Sequence, residues 1–273
     1  NQRANGDGLI GALISSNKSI VVNSGSLNGS FYEGNGRDYG FDQIVDLNRV
    51  GSEYIFVKGG GSNDWENVLI VAHTDNTSIT INGSLIPEVN SKTGNSYLNA
   101  GEYLLIEGDK YSSNNNMYVQ SSQLVFAYQG IAKGSSEANQ GFFFVPPLKC
   151  SSRGNVNNIP FINKIGTVSF TGSLNIISKT GATITISDDN NVNNVLSGLS
   201  IANSSGPFSV NGNISYQTYT VSNLSGNVSI NSNDELYVSY YNQNGVATSG
   251  AFYSGFTPVP DPPSASLAFT SLG

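Results

Sequence analysis

The apolar residues of this chain tend to recur at every second position, in short runs that glycine, asparagine or aspartate interrupts. Residues 77–81 alternate in this way, and residues 53–58, 67–72 and 123–128 are continuous apolar runs rich in β-branched and aromatic side chains. They fit short β-strands better than an amphipathic helix. The dipeptides Asn82-Gly83 and Asn211-Gly212 each separate two runs. Both favour the positive φ angles of tight hairpins, so we predict an all-β fold.

The chain also resembles itself. Residues 69–81 resemble residues 175–186, and residues 119–129 resemble residues 230–241 at nearly the same spacing. A third copy of the latter piece stands alone at residues 14–24. Self-similarity at one period is the mark of tandem structural units. We therefore predict two tandem β-sandwich-like units, with an N-terminal strand segment that packs on the first.

The repeat and the prolines suggest boundaries for these parts. Residues 257–263 hold four of the nine prolines, which favours an extended spacer. We predict N-terminal strands and a loop over 1–49 that resemble the end of an upstream unit. The first sandwich follows over 50–159, the second over 160–256, and a Pro-rich linker into a following module over 257–273.

The composition excludes several classes of protein. Lys and Arg number 12 against 19 Asp and Glu, and charged residues make up only 11% of the chain. The acidic balance argues against binding nucleic acid, whose phosphates require clustered cations. No apolar run reaches the roughly 18 residues of a membrane-spanning helix, so we predict a chain that does not span a membrane. Low charge with many aromatic residues is typical of an extracellular β-rich module.

Catalytic chemistry finds little support in the residues. The single Cys150 and the single His73 cannot build a zinc site between them. His73 and Asp75 lie where a strand runs into a turn, and no Gly-x-Ser-x-Gly motif is present to offer a nucleophile. We predict no catalytic residue and no enzyme. Cys150 is either buried and free or paired with a neighbouring module.

Two groups of residues are candidates for binding. Asp189, Asn191 and Asn193 follow the first half of an EF-hand loop, but Ser200 replaces the bidentate glutamate. We predict no cofactor and keep these three residues as a weak calcium candidate, with a solvated loop as the better interpretation. Trp65 stands in a polar loop, where it either stacks on sugars or anchors a protein partner, or covers the end of a sandwich, which is the preferred interpretation.

A charged cluster precedes the first unit. Arg37, Asp38, Tyr39 and Asp42 lie close together in the sequence. The preferred interpretation is that the cluster holds the first unit against the upstream strands, and the second is that it binds a ligand.

Several segments in collinear order resemble the N-terminal domain family of IgGFc-binding proteins. The resemblance covers roughly residues 10–256 and implies a non-enzymatic cell-surface adhesion or scaffold module. The style of the sequence looks most like copies in long surface proteins of gliding Bacteroidetes, which the type IX secretion system exports. The segments are residues 36–45, 51–59, 66–72, 128–130, 138–141, 144–148 and 252–256.

These observations predict a module of a large extracellular adhesin at the cell surface. It would act as a rigid spacer and as a carbohydrate- or surface-binding unit in attachment or gliding motility. Its expected partners are a glycan, a solid or host surface, and neighbouring modules of the same chain. One alternative is a secreted polysaccharide-binding module or polysaccharide-acting enzyme. Another is a structural subunit of a surface filament, whose edge strands pair with other modules.

Overall fold

A computed structural model describes residues 8–29, 38–87, 89–90, 93–134, 141–148, 154–195, 204–245 and 247–252. Within them the chain forms strands and short 3-10 helices at Leu47–Arg49, Asn63–Trp65 and Gly108–Lys110. No helix in this part is long and apolar enough to cross a membrane. The predicted all-β class, with two sandwich-like units after a strand segment, is confirmed. Cys150 and the predicted linker lie outside the described residues.

Two N-terminal strands pack on the first unit. Strands β1 (Val22–Gly29) and β2 (Asp38–Ile44) form an antiparallel two-stranded sheet. The residues at and after the end of β2 join an apolar cluster on the outside of the first unit. That cluster is built from Ile44, Val45, Leu47, Val50, Leu69, Tyr128 and Phe144.

Within the described residues, the first unit contains nine strands. They are β3 (Gly51–Val57), β4 (Gly60–Gly61), β5 (Val68–Ala72), β6 (Ile79–Ile81), β7 (Ser84–Leu85), β8 (Tyr103–Ile106), β9 (Asn116–Ile131), β10 (Lys133–Gly134) and β11 (Gly141–Phe144). The unit is built around β9, which has 16 residues. The beginning of β9 lies between β3 and β6, and its end lies between β5 and β11. The layer that we call front sheet 1 consists of β3, the start of β9, β6 and β7. The layer that we call back sheet 1 consists of β11, the end of β9, β5 and β8.

The second unit has two separate sheets around one core. Its strands are β12 (Asn155–Ile159), β13 (Lys164–Ile165), β14 (Val168–Ser169), β15 (Thr171–Lys179), β16 (Ile184–Asp188), β17 (Asn191–Val195), β18 (Ser204–Ser209), β19 (Tyr216–Leu224), β20 (Val228–Ser232), β21 (Leu236–Asn244) and β22 (Ala247–Phe252). The sheet that we call front sheet 2 has the order β12-β20-β16-β17, and back sheet 2 has the order β18-β19-β15-β21-β22. Leu174 and Val238 of the back sheet share one buried core with Ile184 and Ile230 of the front sheet.

The two units pair their strands in the same pattern. Ile81 pairs with Val119 in the first unit, and Ile186 pairs with Ile230 in the second. Ile70 pairs with Ala127, and Ile176 pairs with Val238. Strands β20 and β21 therefore correspond to the start and the end of β9. The repeats seen in the sequence fall on strands with equivalent partners, whereas the residue boundaries proposed for the units stay a prediction.

The two Asn-Gly dipeptides form turns as predicted. Asn82 and Gly83 connect β6 to β7 with φ angles of 52° and 83°. Gly212 has a φ of 85° between β18 and β19, which pair antiparallel. Glycine carries such angles without steric strain, so the turn chemistry places these hairpins locally.

Candidate functional site

The two units meet through a shared apolar interface. Side chains alternate along a strand, so Tyr54 points into the first unit while its neighbour Ile55 points out of front sheet 1. Ile55 lies in one buried cluster with Ile177 and Tyr237, which leave the outer face of back sheet 2. The two sheets therefore pack face to face. Val57, Tyr118, Val210, Tyr216 and Tyr241 complete this interface within the same cluster.

Hydrogen bonds cross the same junction. The Nδ2 of Asn116 donates to the carbonyl of Ser209 and to Oγ1 of Thr218, each at 3.0 Å. The Nδ2 of Asn114 donates to the same Ser209 carbonyl at 3.0 Å. Elsewhere along the junction, Oγ1 of Thr248 donates to the carbonyl of Ile131 at 3.2 Å. Because Asn116 and Thr218 are buried, these bonds hold the units in one orientation.

The two Asn-Gly turns touch each other across the junction. A Cβ added to Gly212 would lie 2.6 Å from the backbone N of Gly83. A Cβ on Gly83 would lie 3.3 Å from the Cα of Gly212. Only residues without a side chain allow this approach, so these glycines serve both the turns and the contact between the units.

A buried carboxylate closes one end of the junction. Glu66 accepts hydrogen bonds from the backbone N–H groups of Gly59, Gly61 and Ala132 at 2.8, 2.8 and 3.1 Å. Burial raises the pKa of Glu66 to about 7, although these three N–H groups favour its charged form. Glu66 thus ties the glycine loop at 59–61 to the end of β9.

A second buried carboxylate lies on the second unit's side. The Oε2 of Glu235 accepts from the hydroxyl of Tyr216 at 3.0 Å and pairs with Nζ of Lys179 at 3.2 Å. The hydroxyl of Tyr237 donates to Oε1 of Glu235. Burial lowers the pKa of Lys179, but its hydrogen bonds with Tyr216 and Glu235 outweigh burial and leave that pKa raised. The buried carboxylate of Glu235 is therefore paired with a cation and with hydroxyl donors, which offsets the cost of its burial.

An open cleft of about 150 Å³ runs along the junction. Its volume is below the roughly 300–1,000 Å³ of drug-sized sites, so it has room only for a small ligand. One partly exposed aromatic ring, that of Phe208, stands beside amide, hydroxyl and amino groups, whereas the ring of Tyr241 is buried. Such a lining offers both a stacking surface and hydrogen-bonding groups. The first unit contributes Val57, Lys58, Gly59, Asn114 and Asn115, and the second contributes Ser205, Phe208, Thr218, Thr220 and Tyr241.

Of the predicted binding residues, Asp42 and Trp65 do not line this cleft. Asp38 and Tyr39 belong to β2, and Arg37 is outside the described residues. The Oδ2 of Asp42 accepts from the backbone N of Phe144 at 2.6 Å, which links β2 to β11. Burial raises the pKa of Asp42, against the bonds from the Phe144 and Gln43 backbones. That bond has the geometry of the preferred structural role, in which the cluster holds the first unit against the upstream strands.

Trp65 is buried with 4% of its surface exposed, in the Asn63–Trp65 helix. Its ring therefore offers no stacking surface in this conformation. The binding role predicted for Arg37, Asp38, Tyr39, Asp42 and Trp65 stays a prediction.

Of the three calcium candidates, only Asp189 has a described side chain. The Oδ1 of Asp189 accepts from the backbone N of Asn227 at 3.1 Å. Asn191 and Asn193 lie on β17, two positions apart. In the part of the chain that is described, no three His, Cys, Asp or Glu side chains gather as a metal site. Calcium binding stays a prediction.

Sequence reasoning missed the cleft, because its two sides come from distant segments that carry no motif. Phe208 precedes the Asn211-Gly212 turn, and Asn114 lies among polar residues in the sequence. The only signal near it was the Asn211-Gly212 turn, which predicts a hairpin but not its neighbour.

Comparison with known proteins identifies one family. The family model described as IgGFc binding protein matches residues 2–242, nearly the whole chain. No curated protein and no solved structure matches this chain. The family resemblance predicted from the sequence is confirmed. The chain belongs to the IgGFc binding protein family.

Proposed function

We propose that this chain is a non-enzymatic, rigid spacer module of a large adhesin on the outer cell surface, with a role in attachment or gliding motility. Membership of a family of extracellular binding modules supports an exported role. The observation that carries the spacer proposal is the continuous buried cluster across the junction. Domains in one chain usually move relative to each other unless their interface is large and hydrophobic. Here Ile55, Tyr118 and Tyr237 are all buried between the units.

Rigidity requires that the two units unfold together, and the chain contains a natural probe for this. Trp65 is the only tryptophan and lies in the first unit. Leu236 lies fully buried in the core of the second unit. The Leu236→Ala substitution should cost about 3 kcal/mol in the second unit. If the junction couples the units, the Trp65 fluorescence transition shifts to lower denaturant together with the circular dichroism transition.

The control is Leu85→Ala, at a position that is 60% exposed on β7. It should leave both transitions in place. A Trp65 transition that does not move with Leu236→Ala would show independent units and would reject the rigid spacer.

The cleft supports a second candidate function, the binding of a short glycan. The ring of Phe208 would stack on the sugar, and Asn115 and Thr220 would face its hydroxyl groups. Glycan array screening followed by calorimetry tests this, with IgG Fc as a further probe because the family description names it. The Phe208→Ala substitution should abolish glycan binding. Phe161→Ala, at a residue that is 60% exposed and outside the cleft, should retain it.

Each result of this screen decides between the candidates. Glycan binding that survives Phe208→Ala would place the ligand elsewhere, and no binding by the unmodified chain would leave the spacer function alone. Fc binding that Phe208→Ala does not change would assign Fc to another surface.

A further inference from the structure

Residues near the N-terminus repeat a local structure of the second unit. Residues 14–22 read Ile-Ser-Ser-Asn-Lys-Ser-Ile-Val-Val, and residues 230–238 read Ile-Asn-Ser-Asn-Asp-Glu-Leu-Tyr-Val. Oγ of Ser16 accepts from the backbone N of Lys18 at 3.2 Å. Oγ of Ser232 accepts from the backbone N of Asp234 at the same distance. The matching sequence therefore bends in the same way in both places.

The strands that follow also correspond. Strand β1 pairs antiparallel with β2, as β21 pairs with β22. Strand β2 packs against β11, and β11 in turn packs against β22. The β1–β2 pair thus has the same relation to the first unit that the last strands of the first unit have to the second.

The surroundings of the two copies differ. Ile230 and Leu236 are completely buried in the second unit, whereas Ile14 and Ile20 are 58% and 52% exposed. Strand β21 pairs with β15 on one edge and β22 on the other. Within the described residues β1 pairs only with β2. A two-stranded sheet is only marginally stable in water, and an unpaired strand edge is open to a further strand.

We propose that residues 14–44 are the last strands of a third β-sandwich unit, and that an upstream segment of the same polypeptide forms its remaining strands. That segment supplies a strand to the free edge of β1 and covers Ile14 and Ile20. The equivalent strand β15 of a folded second copy is already paired with β19 and β21, so a copy cannot donate it. Continuity with the two junctions already present also favours an upstream unit.

Hydrogen exchange in the complete polypeptide that the gene encodes tests this proposal. The backbone amides of residues 14–21, which precede β1, should exchange within seconds in the 273-residue chain. In the complete polypeptide they should exchange at least ~100-fold more slowly, because they would lie in a paired strand. Equal, fast exchange in both proteins would overturn the proposal, as would a gene that encodes no β-rich segment upstream.

A matched pair of substitutions separates the upstream unit from other occupants. Leu236→Asn should unfold the second unit in either protein, because it places a polar group in a core. Ile20→Asn should leave the melting temperature of the 273-residue chain unchanged and remove the added protection in the complete polypeptide. If the 273-residue chain is a dimer that Ile20→Asn converts to a monomer, a second copy covers this segment and the proposal is wrong.

Discussion

The two units share their strand pairing, but the outer faces of their front sheets are opposite in polarity. In the first unit Ile55 and Tyr118 occupy this face and are buried against the second unit. In the second unit Asn157 and Ser229 occupy the equivalent region, and Oγ of Ser229 donates to the carbonyl of Asn157. A polar outer face is how stacked repeats end in solvent. The side chains on one sheet face, and not the topology, therefore decide whether another unit packs there.

The units also differ where the chain crosses from the front sheet to the back sheet. Strand β9 crosses from the front to the back sheet without interruption, whereas a bend at residues 233–235 separates β20 from β21. The bend places Glu235 among Lys179, Tyr216 and Tyr237 at the junction. The same topology therefore accommodates either a continuous strand or a bend that carries a buried charge.

Exchanging the two front faces should produce the largest effect. We expect Ile55→Asn to lower the free energy of unfolding by about 4 kcal/mol, because it removes buried apolar volume and buries an amide. The reciprocal Asn157→Ile, at an exposed position, should change it by less than about 0.5 kcal/mol. Urea unfolding measures both. Equal costs for the two substitutions would contradict the assignment of a buried and an exposed face.

The stability of the first unit should fall as pH rises. The pKa of Glu66 is raised from 4.5 to about 7 in the folded chain. Its contribution is therefore full below pH 4.5 and is lost as pH rises through about 7, a decrease of about 3 kcal/mol. Denaturant unfolding monitored by Trp65 between pH 5 and 8 measures it.

Glu66→Gln should flatten this pH dependence. The exposed Glu107→Gln is the matched control and should leave the slope unchanged. A slope that survives Glu66→Gln would assign the effect to another group, such as Asp42, whose pKa burial also raises.

The contact between the two turns can be tested with two glycines that share one backbone angle. Gly212 and Gly181 both have a φ of 85°, but an added Cβ at Gly181 would meet nothing within 4 Å. Alanine at either position should cost about 1 kcal/mol for the backbone angle. Gly212→Ala should cost about 2 kcal/mol more, because its Cβ collides with Gly83. Equal melting temperatures for the two variants would contradict the contact.

The hydrogen bonds across the junction should have the smallest effect. Asn116→Ala leaves the buried hydroxyl of Thr218 without this donor and removes one of two side-chain donors to the carbonyl of Ser209, at a cost of about 1–2 kcal/mol. Asn114→Ala removes a bond to the same carbonyl from a half-buried position and should cost less than about 1 kcal/mol. Thermal unfolding of the two variants compares them. A larger loss of stability for Asn114→Ala than for Asn116→Ala would contradict this ranking of the two side chains.

The sequence by itself determined the strands, the Asn82-Gly83 and Asn211-Gly212 turns, the repeat and the family. These features depend on local periodicity, on φ preferences and on residue order, which the chain carries without reference to its fold. Tertiary structure alone decided that these two turns touch, that Trp65 is buried and that Phe208 and Asn114 line one cleft. Ile55 and Ile20 are the same residue type, and both lie in short apolar runs bounded by polar residues. One is buried and one exposed because burial depends on which face of which unit packs opposite, and that partner is distant in sequence.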